Sequence, residues 1–296
     1  MNIRVGTCPD SWGVWFAHHE KQTPWDRCLK EMHEAGYAGT ELGPTGYLPT
    51  DYDELKKALA DNELDLIGAT LSGDMCSAEG VQTVIDTIDL LGPIQTKFPT
   101  AKYMVLFTDV YTDLETGELI HPESISGADW DQFCANIEKV SSYAMDKYGL
   151  LVVYHPHAQT YCETEEQIEK LLDSTNVMLC FDTGHHVYGG GDPVAFFRKH
   201  HDRIPYLHLK DCNKQLRDQI KKEGLSFVTA CEQGLMCEPG TGDVDFKDMY
   251  QALVEVDYEG WVVVEQDQPL CPWDQPLPVA KRTREFLAEA GFDNRA

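Results

Sequence analysis

Four apolar runs in the second half of the sequence end in groups that bind metal ions or move protons. Residues 150–155 (LLVVYH) end in His155, with His157 close behind, and residues 177–182 (VMLCFD) end in Asp182, followed by Thr183, Gly184, His185 and His186. Residues 204–210 (IPYLHLK) carry His208 and Lys210 ahead of Asp211, and residues 261–265 (WVVVE) end in Glu265. Imidazoles and carboxylates brought together make a nitrogen-and-oxygen ligand set, suited to Mn, Co, Fe, Zn or Mg. No cysteine stands among these terminal groups, so a thiophilic site is not expected. Three or four protein ligands leave a coordination position for a substrate oxygen or water, as a catalytic metal requires. A single histidine at a strand end is more often a hydrogen-bonded structural residue than a ligand. Four such groups closing four successive runs reverse that balance, because burying them together without a partner is costly.

His155, Asp182, His208 and Glu265 are therefore the expected metal ligands, with His157 an alternative to His155. His157, His185, Lys210 and Glu265 are the candidates for proton transfer. Histidine suits either direction of transfer, since its ordinary pKa of about 6.5 lies near working pH. Trp12, Glu41 and Asp211 are the candidates for the substrate's surroundings. Trp12, after the first run, either stacks on an apolar sugar face or fills the core. Glu41, closing the second run, either binds a substrate hydroxyl or is a buried structural carboxylate. Asp211 is expected to orient His208 or Lys210 from behind. His18, His19, His200 and His201 read as ordinary loop and helix residues, and Gly240 and Gly242 as backbone-geometry residues.

Eight strand-like runs supply the scaffold: residues 3–8, 39–43, 64–71, 102–109, 150–155, 177–182, 204–210 and 261–265. Helical patterns lie between them at 25–35, 52–60, 81–91, 130–148, 163–172 and 246–256, and residues 276–290 close the chain. The first of these ends at Gly36, which suits a left-handed stop. Near-continuous apolar strands alternating with helices indicate a parallel sheet covered on both faces. Eight units predict a closed (β/α)8 TIM barrel, one domain over residues 1–296 with its site at the C-terminal strand ends. No G-x-G-x-x-G follows the first run and no Walker motif occurs, which removes the main support for a nucleotide-binding fold. Residues 213–243 read as one long irregular stretch, expected to be a functional loop or lid.

The charge balance narrows the partners. With 24 Lys+Arg against 50 Asp+Glu, the net charge is −26. Such a surface repels nucleic-acid backbone and anionic lipid, and keeps the chain in solution. The ten cysteines include no C-x-x-C pair and read as reduced thiols, not a disulfide framework. No run approaches the roughly 18 apolar residues of a membrane span, so a cytoplasmic enzyme is expected.

The segments CFDTGHH (180–186), LHLKD (207–211) and GWVVVEQD (260–267) resemble the xylose-isomerase-like TIM barrels. The resemblance implies metal ligands on the last four strands: a carboxylate, then Asp, His and Glu. Asp182, His208 and Glu265 match that pattern. A narrower resemblance, to the inosose dehydratase branch, rests on GTCPDSWGVWF (6–16), GTELGPTGYLP (39–49), YHPHAQT (154–160) and EPGTGDVDF (238–246). It implies a metal-dependent hydro-lyase, with Mn or Co favoured, that dehydrates a keto-polyol such as 2-keto-myo-inositol through an enolate. One position departs from the family: His155 stands where isomerases carry their first Glu. Epimerases of the family resemble a two-glutamate machine, and only Glu265 fills that part here. Sugar isomerisation or epimerisation, and β-elimination from a 3-keto-glycoside, therefore rank second. A non-catalytic sugar-binding subunit ranks lower, and an apurinic endonuclease is disfavoured by the acidic surface and by the extra His ligands that branch needs. The expected partners are a small polyol or sugar and, by analogy with barrels carrying a long seventh loop, further copies of the chain.

Overall fold

A computed structural model describes residues 2–293. Its strands are β1 (Ile3–Thr7), β2 (Gly39–Glu41), β3 (Asp65–Gly73), β4 (Tyr103–Thr108), β5 (Leu151–Tyr154), β6 (Met178–Asp182), β7 (Tyr206–Leu209), the short β8 (Asp211–Cys212) and β9 (Met236–Cys237), and β10 (Gly260–Val264). Eight of them close a parallel barrel in the order β1-β10-β7-β6-β5-β4-β3-β2. The closing pair runs from Ile3 opposite Gly260 to Thr7 opposite Val264. The eight expected runs are these eight strands, each trimmed or extended by a few residues.

Strand alternation sorts the side chains. One set packs inside the barrel, where Cys8, Ile67, Val105, Val153, Cys180, Tyr206, Trp261 and Val263 form a small buried cluster. Two residues further along the strands, on the same inward face, stand His155, Asp182, His208 and Glu265. The apolar plug thus sits directly beneath the polar mouth. The opposite strand faces and the helices form the larger outer core, with Leu29, Met32, Ile137 and Leu253 fully enclosed.

The helices are α1 (Trp25–Ala35), α2 (Tyr52–Asp61), α3 (Ala78–Gln95), α4 (Ala128–Tyr148), α5 (Glu165–Ser174), α6 (Thr183–Tyr188), α7 (Pro193–His200), α8 (Lys214–Glu223), α9 (Phe227–Glu232), α10 (Phe246–Glu255) and α11 (Pro276–Ala290). Side chains start many of them. Thr164 and Gln167 form a reciprocal capping box on α5, and Asp51, Ser77 and Asp245 accept the backbone N–H groups of Glu54, Gly80 and Asp248 in the first turns of α2, α3 and α10. Left-handed Gly36 ends α1, as expected.

The stretch 213–243 is not irregular. Asn213 caps α8, Ser226 caps α9, and β8 pairs antiparallel with β9. The α8 pattern is nearly all polar, with Ile220 its one buried residue, so hydrophobic periodicity had nothing to register. Among the described residues no helix is long and apolar enough to cross a membrane.

Candidate functional site

The four polar run ends meet. One ligand atom each from His155, Asp182, His208 and Glu265 lies within 4.8 Å of the others, and all four residues are buried. The parallel register explains the meeting, since Asp182 pairs directly with His208 and Val263 with the same histidine on its other side.

Each ligand is oriented by a second contact. Asp182 Oδ1 accepts the His185 backbone N–H at 2.7 Å, capping α6, which leaves Oδ2 for the site. His155 Nδ1 lies 3.2 Å from the Cys180 carbonyl and, as its donor, leaves Nε2 unprotonated. His208 Nε2 lies 2.9 Å from Glu41 Oε1, which likewise leaves Nδ1 with a lone pair. That Nδ1 is 2.6 Å from Glu265 Oε2 and 3.8 Å from Asp182 Oδ2. Asp182 Oδ2, His208 Nδ1 and Glu265 Oε2 are all buried without a hydrogen-bond partner. Three converging buried atoms without a hydrogen bond, with only the Lys210 ammonium as a nearby cation among the described residues, at 3.4 Å and 3.7 Å from the carboxylates of Glu265 and Asp182, are a costly arrangement and fit a divalent cation. The nitrogen-and-oxygen donor set is the one expected for such an ion.

A cationic and imidazole group adjoins this cluster. Lys210 is fully enclosed, and its Nζ donates to Asp267 Oδ2 at 3.0 Å and to His185 Nε2 at 2.9 Å. It lies 3.4 Å from Glu265 Oε2 and 3.7 Å from Asp182 Oδ2. Its aliphatic stem packs on Gly184, where an added Cβ would come within 2.6 Å of Lys210 Cγ; hence the glycine in DTGHH. The rings of His185 and His157 lie against each other, tilted by 42°, with centroids 3.7 Å apart. His157 Nδ1 donates to the Ala158 carbonyl at 2.8 Å, leaving its Nε2 as the basic nitrogen. Phe227 of α9 covers both imidazoles and stacks in turn on Trp15.

Burial sets the protonation states. It drives His185 well below the ordinary histidine range, helped by His157 and Lys210, and pushes His157 down to about 3, with Lys210 adding to the effect. Both rings are neutral bases. Burial also works against charge on Lys210, but Asp267, Glu265 and Asp182 outweigh it and keep the ammonium. Asp182 is pushed up to about 6 by burial, opposed by Lys210. Glu265 resists its own burial because Lys210 and His208 hold it ionised.

The three residues weighed for the substrate's surroundings have contacts of their own. Trp12 has no exposed surface, and its indole N–H donates to Glu31 Oε2 at 2.9 Å, the contacts of its core alternative. Glu41 Oε1 accepts the Tyr206 hydroxyl at 2.7 Å and lies 2.9 Å from His208 Nε2, the contacts of its buried structural alternative. Asp211 does not orient His208 or Lys210. Its carboxylate accepts the backbone N–H groups of Gly240 and Gly242 at 2.9 Å, Val244 at 3.0 Å and Cys212 at 2.9 Å. It pins the EPGTGDVDF loop, where a Cβ on Gly242 would strike that same carboxylate.

The sequence pattern overlooked Asp267, Tyr206 and Cys180. Asp267 and Tyr206 each sit two residues from a named candidate on an alternating strand face, which is the signal that identifies them. Cys180 has the same relation to Asp182, and its sulfur comes within ligand reach of His155 and His208.

Comparison with known proteins agrees with this architecture. Residues 29–290 match the family model described as xylose isomerase-like TIM barrel. An inosose dehydratase of Clostridium perfringens is 30% identical over 298 residues, covering 97% of each chain. Among solved structures, the probable 3-DHS dehydratase AsbF of Bacillus anthracis superposes with a TM-score of 0.72 at 16% identity, covering 99% of this chain and all of that one. The IOLI protein, solved with a binding zinc atom, superposes with a TM-score of 0.66 at 15% identity, covering 97% and 99% of the two chains.

Proposed function

This chain belongs to the xylose isomerase-like TIM barrel family, and from that premise we propose that it is a divalent-metal-dependent hydro-lyase that dehydrates a keto-polyol of the 2-keto-myo-inositol kind. The observation that carries the reading is the set of three buried ligand atoms that make no hydrogen bond, beside an imidazole pair backed by an ammonium group. The name and full-length coverage of the Clostridium relative support the substrate class.

His155, Asp182, His208 and Glu265 would hold the ion, with Mn or Co the ions proposed. When bound, a divalent ion polarises the substrate ketone and so acidifies the adjacent C–H.

The remaining work falls to the chain's own groups. His157 is the proposed base: it is neutral, its Nδ1–H is fixed on Ala158, and its Nε2 lone pair is free. It takes the α-proton, the Cα–H electrons form the new C=C bond, and the β-hydroxyl departs. The imidazolium so formed returns its proton to that hydroxyl, and water leaves. Lys210 has no surface of its own, so it acts through His185 and as a fixed positive charge beside the developing oxyanion. Glu265 is assigned to ion binding, since its Oε2 lies against His208 Nδ1. Epimerisation, which needs a proton carrier on each face of the substrate, is the second reading; His155 in place of a carboxylate ranks it lower.

An anaerobic assay of Mn- or Co-loaded protein with 2-keto-myo-inositol tests the proposal. Diketone product that disappears with chelator and with Glu265→Ala is expected. A protein that binds metal at stoichiometry and makes no product would exclude this substrate.

A further inference from the structure

His155 and His208 lie near a thiol as well as near the two carboxylates Asp182 and Glu265. Cys180 precedes Asp182 by two residues on β6, so both side chains point into the barrel, with Cys180 one layer deeper. The sulfur and one ring nitrogen each from His155 and His208 lie within 4.8 Å of one another, and all three residues are buried, Cys180 completely. The His155 ring is held on this strand by the Cys180 carbonyl, 3.2 Å from Nδ1. The Cys180 side chain belongs to the apolar plug with Val153 and Val263, a water-poor setting in which a metal–sulfur bond meets little competition.

We infer that His155, Cys180 and His208 form a second, deeper coordination set that takes a thiophilic divalent ion of the Zn or Cd class. Thiolate sulfur with imidazole nitrogen suits such ions, whereas the carboxylates of Asp182 and Glu265 suit Mn or Mg. Binding forms the metal–sulfur bond and releases the thiol proton to solvent. Both imidazoles are shared with the four-residue set proposed above, and to that extent the inference rests on it; occupation of one set excludes the other. A soft ion is drawn down into the plug, away from His157 and the substrate mouth. The depth of the ion in the barrel thus becomes the basis of metal selection: protein loaded with a soft metal carries a full complement of ion and no turnover.

Cadmium titration of the metal-free full-length protein reads this directly, through sulfur-to-metal charge-transfer absorption in the near ultraviolet. The wild type is expected to saturate that absorption at one ion per chain. Cys180→Ser and Cys180→Ala are expected to lose it, with cadmium affinity falling more than about tenfold, the scale seen when a metal site loses a supporting group. Manganese affinity, followed by electron paramagnetic resonance, is expected to stay within about threefold in the same variants, because manganese prefers oxygen donors. The cadmium-113 chemical shift of the wild type reports a sulfur ligand without any substitution, should both variants fold poorly. Absent charge transfer in the wild type would overturn the inference, as would absorption that survives in the Cys180 variants but is lost in Cys8→Ser. Equal loss of cadmium and manganese affinity would overturn it too, since the two sets would then not be separable. Wild-type protein that binds cadmium through sulfur and fails to bind manganese would instead remove the four-residue centre and leave this one standing.

Discussion

Glu41 on β2 reaches across the barrel to His208 on β7, with its Oε1 2.9 Å from the ring Nε2. The same oxygen accepts the Tyr206 hydroxyl at 2.7 Å, so two donors clamp a carboxylate that is only 3% exposed. The clamp selects one tautomer of His208 and turns the Nδ1 lone pair toward Asp182 and Glu265, with which it makes close approaches. A strand remote from the ligand-bearing ones therefore sets the direction of a ligand.

Removing that clamp is expected to weaken metal binding without unfolding the barrel. Glu41→Leu should lower manganese affinity by roughly 10–100-fold, the range for loss of a partner behind a metal-bound histidine. Glu41→Gln, which keeps an accepting oxygen, should lose less. Competition against a chelating dye measures both, and equal affinities in the three proteins would dismiss the role.

Protons compete with the ion for the same atoms. Burial pushes Asp182 up to about 6, and Cys180, Glu41 and Glu265 together hold His208 above its ordinary range against its own burial. Raised pKa values mean that these ligands take up protons as pH falls, so metal affinity drops on acidification, first as His208 takes its proton above the ordinary histidine range and further as Asp182 takes one at about pH 6. Metal retained after dialysis at pH 5 and pH 7.5 checks the sign; more metal at the lower pH would reverse it.

His157→Gln separates proton transfer from ion binding. Loss of a positioned general base typically lowers the rate by about 10²–10⁴-fold. Metal content is expected to remain, because the His157 side chain lies outside the four-residue ligand set. A variant that loses metal along with activity would place His157, not His155, among the ligands.

His186 gives the fold a separate pH dependence. It is enclosed against Phe181 and Phe196, and burial pushes its pKa down to about 4. The unfolded chain takes up this proton near pH 6.5 and the folded one resists until about 4, so stability present above pH 6.5 is lost as pH falls through that window. At about 1.4 kcal/mol per pKa unit the full effect is about 3.5 kcal/mol. Denaturant midpoints at pH 7 and pH 4.5 should differ less in His186→Phe than in the wild type; an unchanged difference would remove His186 as its source.

Asp211 is expected to matter for the loop and for stability. Asp211→Ala strands four backbone N–H donors, of Cys212, Gly240, Gly242 and Val244. Each buried unsatisfied donor costs about 1–3 kcal/mol, reduced where water enters, so a loss of at least about 2 kcal/mol is expected. Chemical denaturation gives the loss, and faster amide exchange at Gly240 and Gly242 locates it. Wild-type stability and exchange would show the loop to be held elsewhere.

The sequence alone determined the barrel and the convergence at its mouth. Eight apolar runs and the helices between them carry a period that survives any detail of packing, and a polar residue at the end of such a run can only face the C-terminal rim. His155, Asp182, His208 and Glu265 were legible for that reason. Tertiary structure decided what lay behind them. The roles of Glu41, Trp12 and Asp211 depend on partners 167, 19 and up to 33 residues away, and no local pattern encodes a hydrogen bond across a barrel. Cys180 stands inside an apolar run, and its approach to two imidazoles arises only when β5, β6 and β7 stand side by side. Helices α8 and α9 escaped notice because caps and a hairpin, with few buried apolar positions on α8, hold that segment in place. Periodicity records which face of an element is buried, whereas the assignment of a polar group to ligand, clamp or loop anchor waits on which atoms the closed barrel brings within 3 Å.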